Sequence, residues 1–144
     1  MTRVADILAA KGTTVHAISP DASVYEAIER MVQHNIGSLL VMEGDEVAGI
    51  FTERDYLRRV TLGDLDPRVT RVRQVMTERP TCVQPDRTVQ DCMTMMTRER
   101  FRHLPVTECG RAIGMISIGD LVKHVSREQE VEIRSMTEYI TGRA

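Results

Sequence analysis

Thr52 and Asp55 stand three residues apart in GIFTERD (49–55), and Ser117 and Asp120 stand three apart in GMISIGD (114–120). A hydroxyl followed three residues later by an acid has the spacing of a capping box, in which each side chain satisfies a backbone N–H at the start of a helix. The same atoms can also recognise a ligand. A helix N-terminus offers unpaired N–H groups and partial positive charge, so it attracts phosphate, and a Thr or Ser hydroxyl there can donate to a phosphate oxygen. A carboxylate would repel phosphate. It suits a ligand site only as an acceptor of hydroxyls, such as the 2′ and 3′ hydroxyls of a ribose. Gly49 and Gly114 can simply permit close packing of a strand. Both readings of the phrase stay open at this point.

Other chemistry has little to work with. Cys82, Cys92 and Cys109 have no recognisable catalytic context, and Cys92 falls on an apolar helical stripe, the usual place of a buried thiol. His16, His34, His103 and His124 show neither HxxxH nor HExxH spacing, so no metal site is predicted. There is no P-loop and no GxGxxG, the usual parts for ATP hydrolysis. The expectation is a binding protein, not an enzyme, with no catalytic residue and no catalytic cofactor.

The totals narrow the class further. The 144 residues carry 19 Lys and Arg against 21 Asp and Glu, a formal net charge of −2, so no basic excess is available for broad nucleic-acid binding. With no Trp, 2 Phe and 3 Tyr there is little material for stacking bases. An odd cysteine count without CxxC suits a reducing compartment. Asp6 interrupts the apolar N-terminal run, and no stretch approaches the ~20 apolar residues of a membrane helix. These features predict a soluble cytoplasmic protein with no membrane partner.

The two phrases belong to a longer repetition. Pro20-Asp21 maps to Pro85-Asp86, Val24 to Val89, Met31 to Met96, Leu39 to Leu104, Val41 to Val106, Gly49 to Gly114 and Asp55 to Asp120. A constant offset over that length marks an internal duplication. In each copy a short strand (TVHAISP, PTCVQP) precedes a helix with apolar residues at i, i+3, i+4 and i+7, opened by Ser23 with Glu26 or Thr88 with Asp91. The first such helix should end near Asn35-Ile36-Gly37, with glycine tolerating the left-handed turn. A hairpin follows (SLLVM and VAGIF, or HLPV and AIGMI), with Pro105 suggesting an edge or a strand end. A second helix then opens at the quoted phrase. Each half reads strand, helix, strand, strand, helix, an α+β class. Each small sheet leaves one apolar face uncovered, so the halves should press together with pseudo-twofold symmetry and leave two matching clefts.

This order of motifs resembles the CBS domain, named for cystathionine β-synthase. The carriers are the duplicated G-x-x-[TS]-x-x-D, the HLPV run and the P-D-x-[ST]-V that opens each helix. The resemblance implies tandem CBS repeats, a stand-alone Bateman module, over residues 1–125, with repeat one at about 2–66 and repeat two at about 67–125. Such modules bind adenosine-containing ligands (AMP, ADP, ATP, NAD, S-adenosylmethionine) between the repeats and commonly dimerise. Carried over by position, site one would use Ile50, Thr52, Arg54 and Asp55, with Thr81, Cys82 and Val83 at the base and Arg102 and His103 near the phosphates. Site two would use Met115, Ser117 and Asp120, with His16, Ala17 and Ile18 at the base and Gly37 and Ser38 opposite. Site one concentrates positive charge and should take the more highly charged nucleotide, or bind more tightly.

Outside the repeats lie an N-terminal helix (Val4, Ile7, Leu8), a linker GDLDPRVTRVRQVM and a C-terminal helix over 126–144. On the last, Ile133, Met136, Tyr139 and Ile140 share a face that must dock on the core or on a second subunit. The expected partners are an adenosyl nucleotide, a second copy of the chain and an unidentified effector protein. A protein-interaction or nucleic-acid-associated scaffold without ligand is the alternative, with the linker cluster Arg68, Arg71 and Arg73 as a place that could touch RNA or DNA; a nucleotide-processing enzyme is a further one.

Overall fold

The duplicated phrases resolve into two copies of a hairpin-and-helix unit in the computed structural model, which describes residues 1–141. The first copy comprises α1 (Val4–Lys11), β1 (Ala17–Ile18), α2 (Val24–His34), β2 (Ser38–Glu43) and β3 (Glu46–Thr52). A short turn of helix, α3 (Glu53–Asp55), runs on into a π-helical segment, Tyr56–Thr61. Next come α4 (Val72–Val75), β4 (Thr77–Glu78), α5 (Val89–Glu99), β5 (His103–Glu108), β6 (Arg111–Ser117) and α6 (Ile118–Thr141). The first sheet runs β1-β2-β3-β4, with β1 parallel to β2 and the other neighbours antiparallel; β5 and β6 form an antiparallel pair.

Local chemistry sets the helix ends. The Ser23 hydroxyl accepts the Glu26 N–H at 3.1 Å, and Thr88 accepts that of Asp91 at 3.1 Å. The buried stripes are Val24, Ala27 and Met31 on α2, and Val89, Cys92 and Met96 on α5. The left-handed turn falls two residues before Gly37, at Asn35 (φ 52°), and at its counterpart Arg100 (φ 60°). Asparagine tolerates that region because its short polar side chain bonds locally.

The packing exchanges helices between the halves. One core joins Val24, Met31, Leu39, Phe51 and Val60 to Val72, Val75 and Met76 of the segment expected as a linker. The other joins Val89, Cys92, Leu104, Ile116 and Leu121 to Val4, Ile7 and Leu8 of α1. The division expected near residue 66 is thus one of sequence and not of packing. Gly49 and Gly114 lie where the hairpins are pressed by the chain that follows α4 and by α1 itself, respectively. A Cβ on Gly49 would stand 2.6 Å from the Thr77 carbonyl oxygen, and one on Gly114 2.7 Å from Leu8 Cδ2.

A proline shortens the second sheet. The Leu40 N–H donates to the His16 carbonyl at 3.0 Å, joining β1 to β2. The counterpart of Leu40 is Pro105, which has no N–H to give. The strand expected in PTCVQP therefore shrinks to a single bridge between Val83 and Val106, with the Val83 N–H donating to the Pro105 carbonyl at 3.0 Å. Pro105 itself sits inside β5, opposite Met115, and not at its end.

The C-terminal helix expected from residue 126 is the continuation of α6, which runs unbroken from Ile118 to Thr141. Val122, Ile133, Met136 and Ile140 are exposed along it. The side chain of Tyr139 and residues 142–144 lie outside the described residues. The basic cluster is pinned to the surface of the first half. Arg68 covers the Tyr25 ring at 4.1 Å, Arg71 donates to the Asp21 carbonyl at 2.7 Å, and Arg73 meets the Asp21 and Glu43 carboxylates at 3.3 and 3.2 Å.

Candidate functional site

β3 meets its counterpart β6 across the seam. There, a cavity of about 620 Å³ is lined by both halves. It gathers Ile50, Thr52, Arg54 and Asp55 from β3 and α3 with Thr81, Arg102 and His103 from the second half, as expected for site one. Cys82 and Val83 are not on its wall. The lone bridge to Val106 leaves Val83 buried in the second core, and the Cys82 thiol turns to the Pro80 carbonyl at 3.4 Å. Burial pushes the Cys82 and Cys92 thiols up.

The capping box and the cavity share the same acid. Asp55 is 6% exposed. Its Oδ2 accepts the Thr52 N–H at 3.0 Å and the Thr52 hydroxyl at 3.1 Å, and its Oδ1 accepts the Thr77 hydroxyl at 3.0 Å. The Asp55 N–H returns a bond to Thr52 Oγ1 at 3.2 Å. A carboxylate has about four acceptor positions. Those internal bonds leave capacity for about one more donor, where the sequence suggested two.

The structure adds arginines that spacing alone did not assign. Arg58, Arg79 and Arg100 line the cavity with Arg54 and Arg102, and Glu53, Asp55 and Glu99 share its wall. Arg58 lies four residues after Arg54, a helical neighbour, which is a readable signal. Arg79 and Arg100 both adopt left-handed backbone, φ 49° and 60°. Arg54 Nη1 crosses the seam to donate to the Arg100 carbonyl at 2.8 Å. His103 stands below its ordinary pKa because it is buried; the cations Lys11 and Arg102 push the same way and Asp120 opposes them. Its imidazole is therefore neutral at neutral pH.

The second set of residues is arranged differently. Asp120 Oδ2 accepts the Ser117 N–H at 2.9 Å, and the Ser117 hydroxyl accepts the Asp120 N–H at 3.2 Å, repeating the box. The same Oδ2 also holds Lys11 Nζ at 2.7 Å, and Lys11 donates to the Met115 carbonyl at 2.7 Å. Burial raises the Asp120 carboxyl, but the bonds from Lys11 and Ser117 outweigh it and hold the group below its usual value. Gly37, expected at this second site, lines the first cavity instead; a Cβ there would stand 3.5 Å from His103 Nε2. Ser38 and Ile18 are buried, and Ala17 pairs with Leu40 in β2. The His16 ring lies 4.4 Å from that of His34. Burial, His34 and Lys11 lower the His16 pKa.

No helix among the described residues is long and apolar enough to cross a membrane. No cluster of three or more His, Cys, Asp or Glu among them could hold a metal ion.

Known proteins share this arrangement. The CBS domain family matches the chain twice, at residues 4–62 and 72–127. The mitochondrial CBS domain-containing protein CBSX3 of Arabidopsis thaliana is 37% identical over 150 residues, covering 98% of this chain and 73% of that protein. A candidate signal-transduction protein with CBS domains from Burkholderia ambifaria superposes with a TM-score of 0.86 at 46% identity, over 89% of this chain and 96% of its own. CBSX2, solved in complex with AMP, has a TM-score of 0.74 at 22% identity, over 90% of this chain and 99% of its own, a likeness of fold. The twice-matched family and the twice-built hairpin-and-helix unit agree: this chain belongs to the CBS-domain proteins, as a tandem pair of the regulatory type.

Proposed function

We propose that the chain is a non-catalytic sensor of an adenosine-containing nucleotide, bound in the seam cavity with its phosphates toward the arginines and a ribose hydroxyl on Asp55. The cavity carries this reading. Its volume lies in the roughly 300–1,000 Å³ range of small-molecule sites, and its wall carries five arginines against three acidic residues. Arg suits bidentate phosphate contact. The left-handed backbone at Arg79 and Arg100 places strain at the same wall, where functional constraint commonly holds it. The AMP bound by CBSX2, a protein of the same fold, is in keeping with this ligand class.

The ligand bridges both halves and so favours their closed arrangement, by no more than its difference in affinity between arrangements. The output passes to a separate effector. The stripe of Val122, Ile133, Met136 and Ile140 on α6 supports a homodimer, because a second copy would cover a face that the chain leaves exposed.

A thermal-shift panel of AMP, ADP, ATP, NAD and S-adenosylmethionine tests the reading. At least one ligand should raise the melting temperature in proportion to the logarithm of its concentration. Among AMP, ADP and ATP the rise should grow with phosphate number. Flat melting curves with all of them, at millimolar ligand, would remove the sensor.

A further inference from the structure

Lys11 and Arg79 occupy matching places. Lys11 ends one helix exchanged onto the other half, α1, and Arg79 follows the other, α4. Lys11 bonds the carboxylate of the half on which its helix packs, and Arg79 lines the cavity that holds the matching carboxylate, Asp55. Their surroundings diverge because α1 continues as helix to Lys11, whereas α4 stops at Val75 and the chain extends as β4. In the first half Thr77 of β4 supplies Asp55 with a neutral hydroxyl, Arg59 Nε stands off at 4.0 Å from the same Oδ1, and Arg79 is left lining the open cavity. In the second half the extra helical residues carry an ammonium onto the acid.

The two groups that Lys11 holds are the Asp120 carboxylate and the Met115 carbonyl. Their counterparts, Asp55 and Ile50, both line the first cavity. The ammonium therefore stands where a sugar would have to lie, and it brings both the charge and the donors that the acid needs. The chain has two lysines, Lys11 and Lys123, and otherwise carries its positive side chains as arginine. A compact ammonium with three donors can bond a carboxylate and a carbonyl together; a planar guanidinium is shaped for a bidentate partner.

Resting on the nucleotide reading of the first cavity, we propose that Lys11 is a built-in occupant of the second cleft. It limits the chain to one ligand, and its removal opens a second site of the same class. That site has Gly119 where the first has Arg54. It therefore takes a ligand of low charge, such as a nucleoside monophosphate.

Titration calorimetry with AMP on the full chain tests this. Lys11→Met keeps the aliphatic stem and removes the ammonium. The wild type should bind one AMP per chain, Lys11→Met two, and Lys11→Met with Asp120→Ala one again. One AMP in both wild type and Lys11→Met overturns the occupant while leaving the first cavity intact. So does two AMP in the wild type. None in the wild type but one, Asp120-dependent, in Lys11→Met upholds the occupant, and the same titration with ATP then decides the first-cavity reading, which falls if the wild type binds no ATP either. No AMP binding in any variant overturns the occupant. A measurement on the unmutated protein guards against a folding defect: acetic anhydride, read by mass spectrometry, should acetylate Lys11 more slowly than the exposed Lys123. Equal rates would mean that Lys11 is not engaged, and the proposal would fall.

Discussion

At the scale of single residues, the proposed function gives one carboxylate two ends to serve. Asp55 closes the box with Thr52 and bonds Thr77, so its loss should lower both stability and affinity. A lost cap costs about 1 kcal/mol, and a lost hydrogen bond to a charged group about 1.5–3 kcal/mol. Asp55→Ala should therefore reduce the melting temperature and weaken nucleotide binding by roughly ten- to a hundred-fold. Unchanged affinity with lowered stability would reduce the residue to a helix cap. His103 gives a pH dependence of definite sign. Its folded pKa lies below the ordinary 6.5, so below about pH 6.5 the unfolded chain takes up a proton that the folded chain resists. Stability that is full above that value is lost as pH falls toward the folded pKa. His16 acts in the same direction. His103→Gln should flatten, without abolishing, the decline in melting temperature between about pH 7 and pH 5. A slope identical to wild type would show that His103 titrates normally.

At the scale of elements, the exchanged helices set what the hairpins tolerate. Gly49 and Gly114 are equivalent in sequence, but their neighbours differ. A Cβ at 49 meets a backbone carbonyl, which cannot move without dragging β4; one at 114 meets the end of a leucine side chain, which can rotate. Overpacking costs about 1–3 kcal/mol. Gly49→Ala should fall near the top of that range and Gly114→Ala near the bottom, as read by urea denaturation; the reverse order would contradict the packing described. The π-helical segment after Asp55 is a second element-scale feature. The Leu62 N–H reaches the Leu57 carbonyl and the Leu65 N–H that of Val60, each five residues back. That widened turn lies at the cavity, with Leu57 and Arg58 on the wall. Such turns are frequent at functional sites.

At the scale of the whole molecule, the two halves cannot be separated by cutting the sequence between its repeats. Val4, Ile7 and Leu8 belong to the core of the second half although they open the chain. Terminal residues usually tolerate change, but these are buried. Leu8→Ala should cost about 2–5 kcal/mol, like any large core truncation, and Met76→Ala a similar amount in the other core. A chain lacking residues 1–11 should lose cooperative unfolding by circular dichroism. Near-native melting of that truncation would show α1 to be an accessory. The proposed dimer belongs to this scale too: if α6 carries its contact, the wild type should sediment as a dimer and Ile133→Glu as a monomer in analytical ultracentrifugation, with the melting of the monomer nearly unchanged.

Much of this was written in short-range pattern. The offset from Gly49 to Gly114, the i, i+3, i+4 stripes of α2 and α5, the hairpins and the Thr52–Asp55 and Ser117–Asp120 boxes involve residues a few positions apart or repeated at a constant interval. Local hydrogen bonding and hydrophobic periodicity determine such relations, and the family resemblance followed from them. The tertiary structure decided what depends on distant segments meeting. It sent α1 and α4 to opposite cores, brought Arg79 and Arg100 beside Arg54, and set Lys11 on Asp120, 109 positions along the chain. No local period encodes those meetings. They follow from how the two halves pack and, for Lys11 and Arg79, from how far each exchanged helix runs before it ends.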